Sequence, residues 1–361
     1  MSSRIDHDFG GLPDWAQRPL VLQIFVQAHA LGGEARIVGG AVRDWLANYP
    51  VGDIDMAINL PIETVASHMV TCDMRVVKTG LKHGTITLYD NDDQIELTQT
   101  RVDLETDGRH AIVAHDQDWA RDAARRDFTI NALYLDSSGG IFDPLDGKAD
   151  LEAGQLRFAG DAGLRVQEDA LRMIRYCRFL PRFATTGIDP QAQTALREHA
   201  SLCAGLSGER IANEMRRIMV GGGLKEVIGL MQDSKIDQAA LGLSLDPSRL
   251  ANDDEIGSMI AGLGANVDFA WLANLAVAMP LGSAALLAKR LRLSRAEERC
   301  LTRLDLGLGQ DDMKMLSGAR WRQAVYYLGD MAALLFAVQS WRNGHALDAS
   351  RLAEFTLSLI H

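Results

Sequence analysis

Two aspartates separated by one residue, Asp53-Ile54-Asp55, are the first feature of this chain that could do chemistry. On a strand, residues i and i+2 share a face. Asp53 and Asp55 are therefore expected side by side, with Ile54 and Met56 on the opposite, buried face. Two anions so placed repel each other unless a cation lies between them, and a hard divalent ion with oxygen ligands, Mg²⁺ first, suits them. Two such ions would activate an attacking hydroxyl and stabilise a leaving pyrophosphate. Upstream, Arg36-Ile-Val-Gly-Gly-Ala-Val-Arg-Asp-Trp-Leu-Ala-Asn48 reads as strand, Gly39-Gly40 turn and helix. Two glycines let the backbone approach a bulky ligand, and N–H groups near a helix N-terminus suit phosphate. Arg43, in the first helical turn, adds a fork of donors. Glu96, on the alternating run Gln94-Ile-Glu-Leu-Thr98, is either a third carboxylate of the metal site or an exposed strand residue.

A second constellation is Arg125-Arg-Asp-Phe-Thr-Ile-Asn-Ala-Leu133. Arg126 could hold a triphosphate or the ribose end of a nucleotide, and Asp127 could accept from a sugar hydroxyl. Phe128, Ile130 and Leu133 read as core, and Asn131 as a backbone-holding amide without a catalytic role. The segment Arg101–His110 between these constellations reads as a loop, either mobile over a site or an ordinary surface loop.

A third constellation places Glu168, Asp169, Arg172, Arg175 and Arg178 at helical spacing within Gln167–Phe179, with Asp169 and Arg172 as i,i+3 neighbours. A salt-bridged exposed face is one reading. Base recognition is the other. Cytosine and adenine each present an amino donor beside a ring acceptor, whereas guanine and uracil present a carbonyl beside a ring N–H. A carboxylate next to a guanidinium accepts the first pattern and leaves the second unpaired, at high cost. Glu168 could hold Arg172 in place, and Arg175 and Arg178 could contact phosphates or an RNA end.

These residues need a scaffold, and the chain changes character near residue 150. Before it, Ala35–Val38, Ile54–Leu60, Thr85–Tyr89, Ile95–Thr98 and Asn131–Leu135 read as strands with helices between them, which makes an α/β or α+β region. After it, helical spacing dominates, as in Gln167–Phe179, Pro190–Ala200, Gly208–Val220, Asp268–Met279 and Trp321–Ser340. Asp143-Pro-Leu-Asp-Gly147 is a turn and a plausible junction; Gly221-Gly-Gly223 is a second break. The expected division is 1–150 for the mixed region, 151–220 for a first helical region and 221–361 for a second.

With 361 residues the chain can build large cores without disulfides or metals. A net charge of -11 means that any nucleic acid must be bound by local basic patches against the overall field. Cys72, Cys177, Cys203 and Cys300 form no C-x-x-C pair and lie far apart along the chain, as expected of reduced, mostly buried thiols in a cytoplasmic protein. The N-terminus shows no apolar signal core. Phe269–Ala288 carries no charge over 20 residues, but Asn274, Pro280, Gly282 and Ser283 interrupt it. Two buried helices broken at Pro280 are expected there, and no membrane partner.

In the order Val38-Gly-Gly-Ala-Val-Arg-Asp44, Asp53-Ile-Asp55, Arg125–Ala132 and Glu168-Asp-Ala-Leu-Arg172, the sequence resembles the class II (bacterial) CCA-adding tRNA nucleotidyltransferase and poly(A) polymerase family of the polymerase-β-like superfamily. Gly208–Met219 looks like the family's later helical motif, and the likeness spans about residues 30–220. The resemblance implies an α+β nucleotidyltransferase head followed by an all-α neck, body and tail. It also implies template-independent addition of C, C and A to the 3′ end of tRNA from CTP and ATP with Mg²⁺. Carried over by motif, Asp53 and Asp55 hold metal and Gly40, Arg43 and Arg126 contact the nucleotide. Asp169 and Arg172 read its base, with Arg175 and Arg178 as nearby contacts. Arg216, Arg217, Lys289, Arg290, Arg292 and Arg295 are candidate tRNA contacts by shape and phosphate.

His110-Ala111 departs from the basic residue and proline expected in the family's mobile loop. The histidines after residue 120 are His199, His345 and His361, without a His-Asp pair, so the C-terminal phosphohydrolase domain of some relatives is expected to be missing. Alternative functions are a poly(A) polymerase, a partial enzyme adding only CC or only A, and a non-catalytic tRNA-binding protein. The lack of a basic run in Ala346–Phe355 argues against the first, the loop at 101–118 against a CC-only enzyme, and the paired aspartates against the last.

Overall fold

The structure is a computed structural model. It describes residues 10–78, 80–90, 93–106, 111–115, 118–250 and 269–307, with 335, 338–340 and 342; over 101–106 and 111–115, and at Lys82, only the backbone is described. The expected loop at Arg101–His110 and the expected helix at Trp321–Ser340 fall partly outside these residues, and the tail at 346–355 wholly so. Two compact units are present, Met1–Asp169 with Thr186–Ala192, and Ala170–Thr185 with Gln193–His361.

The first unit opens with helix α1 (Pro19–Ala30), whose proline stands at the first helical position, where no N–H is required. Strand β1 (Ala35–Val38) leads into α2 (Gly40–Leu46), and β2 (Asp55–Ile58) into α3 (Ile62–Thr71). Three strands follow, β3 (Arg75–Val77), β4 (Thr85–Asp90) and β5 (Asp93–Gln99), then a hairpin of β6 (Arg101–Thr106) and β7 (Ala111–His115). Helix α4 (Trp119–Ala124), strands β8 (Tyr134–Leu135) and β9 (Ile141–Phe142), and helices α5 (Gly147–Glu152) and α6 (Ala162–Glu168) complete it. The sheet order is β3-β4-β5-β2-β1-β8-β9, antiparallel except between β2 and β5; the β6–β7 hairpin is separate.

Alternation divides this sheet into two faces. Ile37, Ile54, Met56, Ile58, Ile86, Leu88, Ile95, Leu97 and Leu135 face α1 and α3 and form the large core. At ~1.5–3 kcal/mol for each fully buried aliphatic chain, this face supplies most of the driving force for the unit. The opposite face has a smaller core of Val38, Ala57, Trp119, Ala123, Ala132 and Tyr134. It is this second face that carries Asp55 and Glu96.

The second unit is helical. It contains α7 (Leu171–Phe183), most of α8 (Pro190–His199), α9 (Gly208–Met219), α10 (Leu224–Asp233), α11 (Ile236–Leu241), α12 (Ala270–Ala278), α13 (Ala284–Leu291) and α14 (Arg295–Leu306). Every residue of α12 is buried, as an all-round apolar helix requires, and its Asn274 Nδ2 donates to the Met219 carbonyl at 2.6 Å. The uncharged stretch is thus two helices parted at Met279–Ser283, and no helix among the described residues is long and apolar enough to cross a membrane. All four cysteines are free; Cys72 is exposed and the others are buried.

Three local readings need correction. Asn131–Leu135 is not one strand: Thr129–Asn131 is a 3-10 turn and only Tyr134–Leu135 pairs, because Asn131 spends its amide on side-chain partners. Arg101–Thr106 and Ala111–His115 are paired strands rather than loop, since backbone hydrogen bonding does not require apolar side chains. Gln167–Phe179 is not one helix. Asp169 is extended (φ −151°, ψ 101°) and ends α6, and α7 starts at Leu171. A short side chain that competes for the backbone favours such a helix end, so Asp169 and Arg172 are not i,i+3 neighbours on a common helix.

Candidate active site

The expected alternation holds through Asp53-Ile-Asp-Met56: Asp53 and Asp55 are exposed, while Ile54 and Met56 are 3% and 1% exposed. Asp53 lies just before β2 and Asp55 opens it. In the parallel pairing of β2 with β5, Asp55 stands opposite Glu96; in the antiparallel pairing with β1, it stands opposite Val38. The residue after Val38 is Gly39, so the glycine turn adjoins the acidic edge. Gly39 has φ 73° and ψ −121°, a conformation that L side chains strongly resist. A β-carbon there would meet Arg126 Nη1 at 3.5 Å and the Asn131 carbonyl at 3.7 Å. Both are ordinary contacts, so backbone conformation rather than space demands glycine.

Among the described residues, the carboxylates of Asp53, Asp55 and Glu96 make no hydrogen bond or ion pair. The consequence is visible at Asp55. Burial foremost, then the Glu96 charge, and least the Asp53 charge push its carboxyl up from 3.8 to about 6, against the lowering pull of Arg126. An excess of negative charge therefore collects at this edge, with one cation facing it. No three His, Cys, Asp or Glu side chains among the described residues form a metal cage. The donor set is instead an open oxygen edge. That suits Mg²⁺, which typically takes one or two protein carboxylates and fills its remaining positions with water and substrate phosphate.

Arg126 arrives from the end of α4. Its Nη2 donates to Asp122 Oδ2 at 3.1 Å and its Nε to Tyr134 Oη at 3.0 Å. Asp122 also accepts from Arg125 Nε and Nη2 at 2.9 and 2.7 Å and from the Tyr134 hydroxyl at 2.7 Å. Burial alone would raise the Asp122 carboxyl, but Arg126, Arg125 and the Tyr134 hydroxyl outweigh it and hold it below its ordinary value. Trp119, at the start of α4, meets Tyr134 edge-on at 5.5 Å, and the Arg36 guanidinium stacks over Trp119 and Phe142 at 4.3 and 4.6 Å. Of this support, Asp122 could have been noticed in the sequence at i−3 and i−4 from the two arginines; Arg36, Trp119 and Tyr134 carry no local signal.

The structure brings together Asp53, Asp55, Glu96, the Gly39-Gly40 turn and Arg126. It engages the other motif residues differently. Arg43 is buried, with Nη1 on Asn131 Oδ1 at 2.6 Å and Nε on Asp44 at 2.9 Å. Asn131 Nδ2 donates onward to Asp127 Oδ1 at 2.9 Å, which also accepts the Phe128 N–H. Arg43 and Asp127 thus tie α2 to the 129–131 turn. Glu168 pairs with Arg165. Asp169 ends the first unit, and Arg172 stands in the first turn of α7, in the second. Arg175 and Arg178 both reach buried Glu214 on α9, at 3.5 and 2.9 Å. Of the candidate tRNA contacts, Arg216 pairs with Glu297 at 2.8 Å, Arg292 with Glu209 at 2.7 Å, and Arg290 donates to the carbonyls of Cys203, Ala204 and Leu206.

Mixed sheet, acidic strand edge, adjoining glycine turn and facing arginine are the parts expected of a nucleotidyltransferase head. Comparison with known proteins agrees. Residues 35–157 match the family model described as the poly A polymerase head domain, and residues 187–240 that described as the probable RNA and SrmB-binding site of polymerase A. In these segments the chain is similar to the class II nucleotidyltransferase family that includes the CCA-adding enzymes. It is 40% identical to the mitochondrial CCA tRNA nucleotidyltransferase 1 of Danio rerio over 57% of this chain and 51% of that one. To the CCA-adding enzyme of Geobacillus thermodenitrificans it is 36% identical, over 62% and 54%. The chain thus spans about half the length of the curated relatives it matches. Its fold is that of the Bacillus stearothermophilus CCA-adding enzyme solved in complex with CTP: TM-score 0.73, 22% identity, 97% of this chain and 83% of that one. A tRNA nucleotidyltransferase complexed with a primer tRNA and an incoming ATP analog gives 0.68 at 18% identity, over 92% and 99%.

Proposed function

We propose that this chain adds C, C and A to the 3′ end of tRNA, using CTP and ATP and releasing pyrophosphate. The observation that carries the reading is the unneutralised carboxylate edge of Asp53, Asp55 and Glu96, set against the Gly39-Gly40 turn and Arg126. Asp53 and Asp55 would hold Mg²⁺, with Glu96 adding negative charge beside them. The ion, when bound, activates the attacking hydroxyl and offsets charge on the departing pyrophosphate. Arg126 supplies a fixed positive charge for the triphosphate. The Gly39-Gly40 turn keeps side chains away from the space beside it. Arg43 and Asp127 hold that turn's surroundings in place through Asn131. The family motif and hydrogen-bond complementarity support Asp169 and Arg172 as readers of the cytosine and adenine edge, with Arg175 and Arg178 nearby. The division into head 1–150, neck 151–220 and body and tail 221–361 belongs to the same proposal. So does a cytoplasmic location, which the unpaired cysteines favour although the animal relatives are named mitochondrial.

A second reading, poly(A) polymerase or a partial CC- or A-adding enzyme, draws support from the names of the matching family models. One assay separates them. The protein is incubated with Mg²⁺, tRNA lacking its terminal CCA, and CTP or ATP singly and together. The expected products are two added C from CTP alone and a further single A when ATP is present. Runs of A without C would sink the CCA reading. Asp53→Ala or Asp55→Ala should abolish transfer while tRNA binding persists, and unchanged turnover in either variant would remove the metal assignment.

A further inference from the structure

Arg126 is the one cation that faces Asp55 among the charges acting on that carboxyl, and two buried side chains determine how it stands. Nε is held by the Tyr134 oxygen and Nη2 by Asp122, while the Tyr134 ring lies 5.1 Å from the guanidinium carbon. Asp122 and Tyr134 are 1% and 0% exposed. A planar group pinned at two nitrogens and backed by a ring has one nitrogen left to present. That nitrogen, Nη1, lies on the Gly39 side. Charge points the same way. Asp122 accepts three hydrogen bonds from two arginines, two from Arg125 and one from Arg126, and a fourth from the Tyr134 hydroxyl. One carboxylate between two guanidiniums leaves the Arg125–Asp122–Arg126 cluster with a surplus positive charge that faces the acidic edge.

We propose that Asp122 and Tyr134 are positioning residues for nucleotidyl transfer, holding Arg126 so that its Nη1 stands beside the Gly39 turn to meet a substrate phosphate. The proposal rests on the nucleotidyltransferase reading. Neither residue needs to touch the nucleotide. Both act through Arg126, and that dependence is what an experiment can isolate, because residues acting through a shared partner are non-additive.

The test measures single-turnover CTP incorporation into tRNA lacking CCA, with the unchanged protein, Tyr134→Phe, Arg126→Lys and the double variant. Tyr134→Phe keeps the packed ring and removes only the hydroxyl. Asp122→Asn is a second probe wherever it folds. The expected result is a loss of about tenfold in kcat/KM for CTP in Tyr134→Phe, the size of one charge-linked hydrogen bond, with tRNA affinity within about twofold of the unchanged protein. In the Arg126→Lys background, Tyr134→Phe should cost less than about twofold more. A Tyr134→Phe enzyme as fast as the unchanged protein, or a loss that multiplies in full with Arg126→Lys, overturns the proposal and leaves the nucleotidyltransferase reading intact. An unchanged protein that incorporates neither CTP nor ATP removes both.

Discussion

Replacing Asp55 by asparagine should stabilise the protein while destroying its activity. In the fold, the Asp55 carboxyl sits at about 6 instead of 3.8, chiefly through burial and then through Glu96. At ~1.4 kcal/mol for each tenfold change in proton affinity, that difference bounds the cost of ionising it in place at about 3 kcal/mol. The side chain is exposed, solvent screens much of the repulsion, and a gain of about 1 kcal/mol is expected from the substitution. For a unit of this size that is a rise of about 2–4 °C in Tm. The sign fixes the pH window. Above pH about 6 Asp55 is ionised in the folded and unfolded chain alike, and the fold bears the full repulsion. As pH falls from about 6 toward 3.8 the folded form takes up the proton first, which favours it, so the advantage of asparagine fades. Calorimetry in EDTA at pH 7.5 and at pH 4.5 reads this directly: Asp55→Asn should melt higher at 7.5, and about a third of the gain should survive at 4.5. Added Mg²⁺ should raise the Tm of the unchanged protein more than that of the variant. A variant that melts no higher than the parent at pH 7.5, or whose gain is unaltered at 4.5, would falsify the claim that burial and the neighbouring carboxylates disfavour ionised Asp55.

Three further substitutions probe neighbouring parts of the structure. Gly39→Ala should cost about 1–3 kcal/mol, because φ 73° with ψ −121° strains any L residue there; an unchanged denaturation midpoint contradicts this. Glu214→Gln removes the carboxylate shared by Arg175 and Arg178. Both arginines remain partly solvated, so about 1–3 kcal/mol of stability should go, visible in urea titration; a loss below 0.5 kcal/mol, as at an ordinary surface pair, would count against it. Arg172→Ala should impair nucleotide choice more than tRNA affinity, and intact discrimination against UTP and GTP would refute the base-reading role.

The acidic edge was legible in the sequence because its logic is local. Asp53, Ile54, Asp55 and Met56 alternate, and a period of two needs no knowledge of the partner strand. The same holds for Gly39-Gly40, whose punctuation announces the strand-to-helix turn. Where the reading failed, a tertiary or backbone term overrode the local pattern. Apolar spacing runs without interruption through Gln167–Phe179, yet a single extended residue at Asp169 divides it, and periodicity cannot register a break that keeps both flanking segments amphipathic. The charged strand 101–106 escaped for the opposite reason: its pairing with 111–115 is carried by backbone groups, while its side-chain types resemble those of a loop.

The support of Arg126 escaped in a third way, and it says most about how the site is built. Arg36, Trp119, Tyr134 and Phe142 are spread over more than a hundred residues, and only the sheet order, with β1 between β2 and β8, gathers them on one face. The same order places β5 beside β2, so that Glu96 meets Asp55. One topological fact therefore delivers both the negative edge and the brace for the positive charge that faces it. The two must come together: an acidic edge without a fixed cation would repel a triphosphate, and an arginine without its buried carboxylate and hydroxyl would be free to collapse onto Asp55 and neutralise it. Pinning two of its three nitrogens keeps the charges close while preventing that collapse, and burial together with Glu96 outweighs the pull of the arginine, so the Asp55 carboxyl is pushed up to about 6.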